Sequence, residues 1–580
     1  MMNLKRNISL IVLCYGIAIY GCGESEKADL VLRDANIYTM NQNAPTVQAV
    51  AVSNGKIVAV GTNAAMEPLT GEDTEVLSLN GKTVVPGFIE SHGHMMSLGN
   101  SMMRLDLTGT RNYDELVAKV KQAMDRVEPG QWILGRGWHQ SKWMPQPKPM
   151  IKGFQTHHKL SAISPQNPIF LTHASGHAGF ANARAMEIAG ITSESTFGGE
   201  GEIIKDENGE PTGIFNEVAQ NLIWSYISKD TVDTRSRALE LAIDECLRHG
   251  VTTFHDAGAG RSTIEIYYDF LNQGKLRVRL YVMLTGREPL LLDDWYGKGP
   301  EIGLGDNFLT IRAIKLNTDG ALGSRGAWLL DEYNDREGHY GMATQPMTYV
   351  HEVAEKGLRS GFQVNAHAIG DRAVREVLDQ YEDVFNKYPE KAGDHRFRIE
   401  HAQHIDPQDL PRFNGLGVIA SVQAIHMSSD RPWAIDRLGK KRIEEGAYVW
   451  RKLIDSGAVV INGTDVPVEP ISPIECFYAS VTRRTLEGEP PGGYEPHQKM
   501  VRQEALKSYT LSAAYGAFEE DLKGSIEVGK VADFAVLSQD IMTVDEDAII
   551  DTEILYTIVN GKIEYHRADG KETETGERDD

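Results

Sequence analysis

A chain of 580 residues with 82 acidic and 59 basic side chains carries a formal charge of −23, which argues against a nucleic-acid groove and against electrostatic adhesion to anionic lipid. Small molecules are the expected partners. The length exceeds the usual single core yet suits an α/β barrel with attachments, and the four scattered cysteines, Cys14, Cys22, Cys246 and Cys476, form neither a disulfide framework nor a cysteine zinc cage, so any metal must take nitrogen and oxygen ligands.

At the start, Lys5 and Arg6 precede an apolar run from Ile8 to Tyr20 that is short for a permanent membrane helix. Residues 1–21 therefore read as an export signal of the lipoprotein type. The ending Ile19-Tyr20-Gly21-Cys22 resembles the bacterial lipobox, and that resemblance implies cleavage before Cys22 and a lipid anchor on it, although Tyr20 is bulkier than the pattern prefers. Gly23 in place of Asp fits, by resemblance to the usual sorting rule, an exported lipoprotein of the bacterial cell envelope held at the outer membrane. Plain secretion and a non-cleaved anchor are the alternatives. No later segment is apolar over a membrane-spanning length.

Residues 28–82 read as short strands: Asp29-Leu30-Val31-Leu32, then Gln48 to Val52, an Asn54-Gly55 turn and Ile57 to Val60. Asn-Gly between alternating apolar residues is a hairpin signal. The same texture returns over 521–566, in Ala532 to Leu537 and Ile558 to Ile563. The two ends are expected to combine into one small β-sandwich, followed by a disordered acidic tail over 567–580.

Between them, residues 83–520 alternate apolar strand runs with helical patterns, the signature of βα units on a parallel sheet. Eight candidate strands are Thr83 to Ile89, Val251 to His255, Arg277 to Met283, Leu309 to Leu316, Phe362 to His367, Phe397 to His401, Val418 to Val422 and Ala458 to Asn462. Eight suits a closed (β/α)8 TIM-like barrel. The interval from about 95 to 249 is too long for one βα connection and reads as an insertion after strand one, with Trp132 to Trp138 and Gly198 to Gly213 as its loops or small sheet elements.

Barrel chemistry gathers at the C-terminal ends of the strands. There the sequence places His92 and His94, which as i and i+2 in a strand can offer two imidazoles to one point. Lys315 lies near the end of strand four, His367 ends strand five, His401 ends strand six, and strand eight runs into Asp465. Each has a bland role taken singly: a solvated charge for Lys315, a satisfied core histidine for His367 or His401, a turn cap for Asp465. Six such residues on one rim point to a shared divalent cation.

From Ala28 to Ile563 the chain resembles the amidohydrolase superfamily and, within it, the family 3 group of YtcJ-like proteins. The motifs are Val85 to His94, Trp132 to Trp138, His173-Ala174-Ser175-Gly176-His177, Lys315 to Arg325, His367 to Asp371, Glu400-His401 and Gly463 to Val468. The resemblance implies that His92 and His94 bind one cation, that His367 and His401 bind a second, and that Lys315, carboxylated by carbon dioxide, bridges them. Asp465 would complete the first shell. Zinc suits imidazole and carboxylate donors, with manganese, iron and cobalt also compatible, and one or two ions per chain. The implied reaction is attack of a metal-activated hydroxide on an amide-like carbonyl, with Asp465 as catalytic residue passing the proton to the leaving nitrogen.

Substrate contacts are drawn from Arg325, which could hold a carboxylate, and from His173, His177 and Trp138 at the pocket mouth; Gln423, His426 and Asp430 follow strand seven. A packing or hydrogen-bonding role is equally open for each. Ala424 stands where the family usually has proline, and His139 replaces the acidic residue expected after Gly137-Trp138. The same shell would serve a lactonase, a cyclic-amide hydrolase or a deaminase. A reading of another class is a non-catalytic, lipid-anchored binding or regulatory protein. A homo-oligomer is compatible with the sequence.

Overall fold

The computed structural model describes residues 27–124, 127–140, 143–174, 178–197, 201–227, 231–323, 325–568 and 571–572. The export signal, Cys22, His177 and residues 573–580 lie outside the described residues.

Eight parallel strands form the centre, in spatial order Phe88–Gly93, Val251–Ala259, Arg279–Thr285, Leu309–Asn317, Gln363–Ala368, Arg398–His401, Ile419–Val422 and Val460–Asn462. All eight expected strands are present and neighbour one another in chain order. At the rim the last meets the first: the Asp465 amide donates to the His92 carbonyl at 2.8 Å, and the His94 amide donates to the Val466 carbonyl at 2.8 Å. Gly463 allows this approach, because a Cβ there would lie 2.3 Å from Glu90 Oε1 and 2.7 Å from the His92 nitrogen. The barrel is thus an α/β fold closed where its site lies.

The helices pack as their periodicity requires. Asp371–Lys387, after strand five, buries Ala373, Val374, Val377, Leu378, Tyr381, Val384 and Phe385, a stripe at three- and four-residue spacing. Val232–Arg248 begins at Thr231, whose hydroxyl accepts from the Thr234 amide at 3.2 Å, and delivers the chain to strand two.

One expected strand divides. The run Thr83 to Ile89 is two strands in two sheets: Thr83–Pro86 joins the sheet of the chain ends, and Phe88–Gly93 enters the barrel. Val84, Val85, Phe88 and Ile89 are apolar on both sides of the junction because both halves are buried, and the Pro86-Gly87 dipeptide between them marks the break. Thr83–Pro86 lies between Asn36–Tyr38 and the antiparallel Phe534–Leu537, and Leu30, Leu32, Val50, Val52, Val84, Phe534, Val536 and Ile558 share one apolar core. Strand Lys562–Ala568 pairs with Lys571–Glu572, carrying the sheet past residue 566, where the acidic tail was expected to begin. The insertion holds its own six-stranded sheet, which includes Ile133–Trp138, Ile169–His173, Gly201–Lys205 and Pro211–Glu217. The segments Trp132 to Trp138 and Gly198 to Gly213, read as loops or small sheet elements, supply strands of that sheet where they are described.

Candidate metal centre

Strand alternation brings His92 and His94 to the rim with ring centroids 5.7 Å apart. The His401 ring lies 4.9 Å from that of His92 and 4.4 Å from that of His367. Asp465 Oδ1 sits 3.2 Å from His94 Nε2 and 3.6 Å from His92 Nε2. One ligand atom each from His92, His401 and Asp465 fall within 4.8 Å of one another. A small inward shift closes that spacing around one divalent cation, whose bonds to nitrogen and oxygen are about 2.0–2.2 Å.

Neighbouring side chains aim these donors. His92 Nδ1 donates to Glu400 Oε2 at 2.5 Å, and His401 Nδ1 donates to Gln423 Oε1 at 2.7 Å. In each ring the held Nδ1–H leaves Nε2 with its lone pair toward the centre. His367 Nε2 lies 3.2 Å from Asp319 Oδ1. Asp319 also accepts from the amides of Ile369 at 3.0 Å, Gly370 at 2.8 Å and Trp328 at 2.9 Å, so one buried carboxylate ties the loops after strands four and five together. His401 and Asp465 adopt φ values of +74° and +59°. Such backbone is costly for residues other than glycine and persists where surrounding structure enforces it, as at functional sites.

The electrostatics match a cation site. Burial holds the imidazoles of His92 and His401 below the ordinary histidine range, against the pull of nearby carboxylates, so both stay neutral and able to ligate. Burial also pushes Lys315 down, opposed by Glu400 and Asp465. Burial would raise Asp465, but His94, with His92 and His401, holds its carboxyl well below the usual range. Glu90, beneath the centre, is pushed up to about 8 by burial although it accepts from the Thr464 amide and hydroxyl. Asp465 Oδ1, His367 Nε2 and His426 Nε2 are buried without a well-formed hydrogen bond among the described residues. Imidazoles and a carboxylate left in that condition fit a divalent metal.

The residues named for substrate contact have other partners. Trp138 is wholly buried in the core of the insertion, its indole nitrogen donating to the Leu171 carbonyl at 2.9 Å and its ring 4.7 Å from that of His173. Arg325 is paired with Asp335 at 3.0 and 2.8 Å, and Arg437 shares that carboxylate. Gln423 orients His401. His426 stacks at 6.2 Å on His401 and stays beside the centre, while Asp430 accepts from Gln403 and Tyr448, each at 3.3 Å.

Glu400, Asp319 and Glu90 stand inside the motifs Glu400-His401, Lys315 to Arg325 and Val85 to His94, yet the sequence alone assigns none of them a role at the site. Glu400 was hidden by alternation: adjacent strand residues face opposite sides, yet both Glu400 and His401 reach His92, because the backbone turns left-handed at His401. Its signal was an acidic residue directly before a terminal histidine.

Comparison with known proteins agrees. A model described as the amidohydrolase family matches residues 75–565. The putative amidohydrolase YtcJ of Bacillus subtilis (strain 168) is 30% identical over 542 residues, covering 92% of this chain and 98% of that protein. The N-substituted formamide deformylase of Arthrobacter pascens is 28% identical over 561 residues, covering 94% and 99%. Among solved structures, an uncharacterized metal-dependent hydrolase from Pyrococcus furiosus superposes with a TM-score of 0.71 at 28% identity, covering 89% of this chain and all of that one, 100%. With a matching family model over most of its length and a barrel rim built as described, this chain belongs to the amidohydrolase family and is an enzyme of that hydrolytic class.

Proposed function

We propose that the chain hydrolyses a non-peptide, amide-like carbon–nitrogen bond at a divalent metal centre held by His92, His94, Lys315, His367, His401 and Asp465. The observation that carries this reading is the convergence of His92, His401 and Asp465 within 4.8 Å, beside the buried Lys315 and the His367 ring. A bound divalent ion supplies an acidified water and polarises the carbonyl. The protein's own groups do the rest. Glu400 and Gln423 hold the His92 and His401 rings in the ligating tautomer. Asp465, a carboxylate whose Oδ1 faces the histidines, takes the proton from the attacking water and returns it to the leaving nitrogen. Lys315, buried among carboxylates and imidazoles, is suited to lose its ammonium proton and then, as its amine adds carbon dioxide, a second proton, leaving a carbamate that replaces a repelling cation by an oxygen donor. Zinc suits the donor set.

The relative named as a formamide deformylase makes N-substituted formamides the first substrates to try. The test is a screen of metal-reconstituted protein over N-substituted formamides, N-acyl amines, cyclic amides and lactones, with metal content measured in parallel. Turnover of a carbon–nitrogen substrate that is lost in Asp465→Asn supports the reading. Turnover retained in that variant rules out the role of Asp465. Export with a lipid on Cys22 belongs to the same proposal, and fatty-acid labelling that survives Cys22→Ser would refute it.

A further inference from the structure

His92 and His401 are each aimed by a side chain behind the ring, Glu400 and Gln423. His94 has no such support: among the described residues no side chain is bonded to its Nδ1, and its side chain is 38% exposed against 1% for His92. What directs its ring is the backbone. At His94, with φ −125° and ψ 88°, the chain passes from strand one into the helix Met95–Met102. The His94 amide donates to the Val466 carbonyl at 2.8 Å, and the His94 carbonyl accepts from the Leu98 amide at 2.9 Å. The next amide, that of Met95, donates to Asp256 Oδ1 at 3.0 Å.

Asp256 stands in strand two, in register with Gly93, and is only 4% exposed. Both of its oxygens are engaged, because Oδ2 accepts at 2.8 Å from the hydroxyl of Tyr267, a wholly buried residue of the helix Arg261–Asn272. A carboxylate at the first turn of a helix satisfies an amide that has no partner within the helix and meets the positive end of the helix dipole. The helix is pinned along its length as well: a Cβ at Gly99 would lie 1.8 Å from the Ala238 carbonyl oxygen, so Met95–Met102 lies hard against Val232–Arg248. Strand one is held by its neighbours and the helix by its packing. Asp256 holds the joint between them.

We infer that Asp256, braced by Tyr267, is the positioning residue for His94: by holding the Met95 amide it fixes the strand-to-helix turn that keeps His94 Nε2 at Asp465, 3.2 Å away, and so within reach of the cation. The inference rests on the metal-centre reading above. The test is a double-mutant cycle on zinc affinity, measured by competition with a chromogenic chelator in wild-type protein, Asp256→Ala, His94→Ala and the double variant, with a thermal melt of each. Asp256→Ala is expected to weaken zinc binding by about 10–100-fold, the scale for groups that orient a ligand, and to add almost nothing in the His94→Ala background. Tyr267→Phe removes a single hydroxyl and carries the test should Asp256→Ala not fold; its loss of affinity runs in the same direction and also vanishes in His94→Ala. Unchanged zinc affinity in the folded variants beside a lowered melting temperature would make Asp256 a purely structural group and overturn the inference, as would an equal loss in the His94→Ala background. Either result leaves the metal-centre reading intact. Wild-type protein that binds no zinc overturns that reading, and the inference with it.

Discussion

His92 and His401 at the barrel rim, and His157 and His158 in the insertion, are neighbouring imidazole pairs with ring centroids 4.9 and 4.5 Å apart. At the rim the ring planes are tilted by 60°, each Nδ1 is held by a carboxylate or amide oxygen, and Asp465 joins both histidines in a group whose ligand atoms lie within 4.8 Å of one another. In the insertion the planes are stacked at 17°, and each Nδ1 meets a hydroxyl, Ser161 Oγ at 2.8 Å and Thr156 Oγ1 at 3.1 Å. Among the described residues no carboxylate joins that second pair in a metal-sized group. Proximity of histidines is therefore not what makes a site. The groups behind them and the carboxylate before them do so.

Substitutions that break the rim should act on chemistry, and those in the insertion on stability. The largest effect belongs to Asp465→Asn, expected to lower kcat by about 10²–10⁴-fold with the melting temperature little changed; steady-state kinetics beside a thermal melt check both. Glu400→Gln removes the charged acceptor behind His92 and should weaken metal binding by about 10–100-fold, measured by competition with a chelator. Trp138→Ala should cost about 3–5 kcal/mol of stability in the insertion, read by limited proteolysis or urea unfolding, while the folded fraction keeps its metal.

The smallest effect is one of pH. Burial first, then the neighbouring His158, lowers His157 from 6.5 to about 4. Between those values the unfolded chain binds a proton that the folded chain does not, so stability is full above about 6.5 and declines as pH falls toward about 4. Because His157 is partly exposed, a loss on the order of 1 kcal/mol is expected. Urea midpoints across that range should show it, and His157→Gln should flatten the dependence.

Much of this was legible from sequence because strand alternation and strand ends are local properties. The run Val364-Asn365-Ala366-His367 declares both a strand and the residue at its tip, and the same holds for the runs that end in His401 and precede Asp465. What was not legible depends on contacts between segments distant in sequence. Arg325 reads as an available cation until Asp335 and Arg437 are placed around it. Trp138 reads as a pocket wall until Tyr113, Trp143 and Phe180 close over it. Gln423 reads as a substrate contact until the turn after strand six presents His401 Nδ1 to it.

The most direct test of the account is divalent metal per chain in purified protein, measured with turnover before and after chelation and again after metal is restored. The account expects at least one bound ion per chain, loss of turnover on its removal, recovery on its return, and little binding in His401→Ala or Asp465→Ala. Full turnover by protein stripped of metal, or undiminished metal binding in both variants, would contradict it.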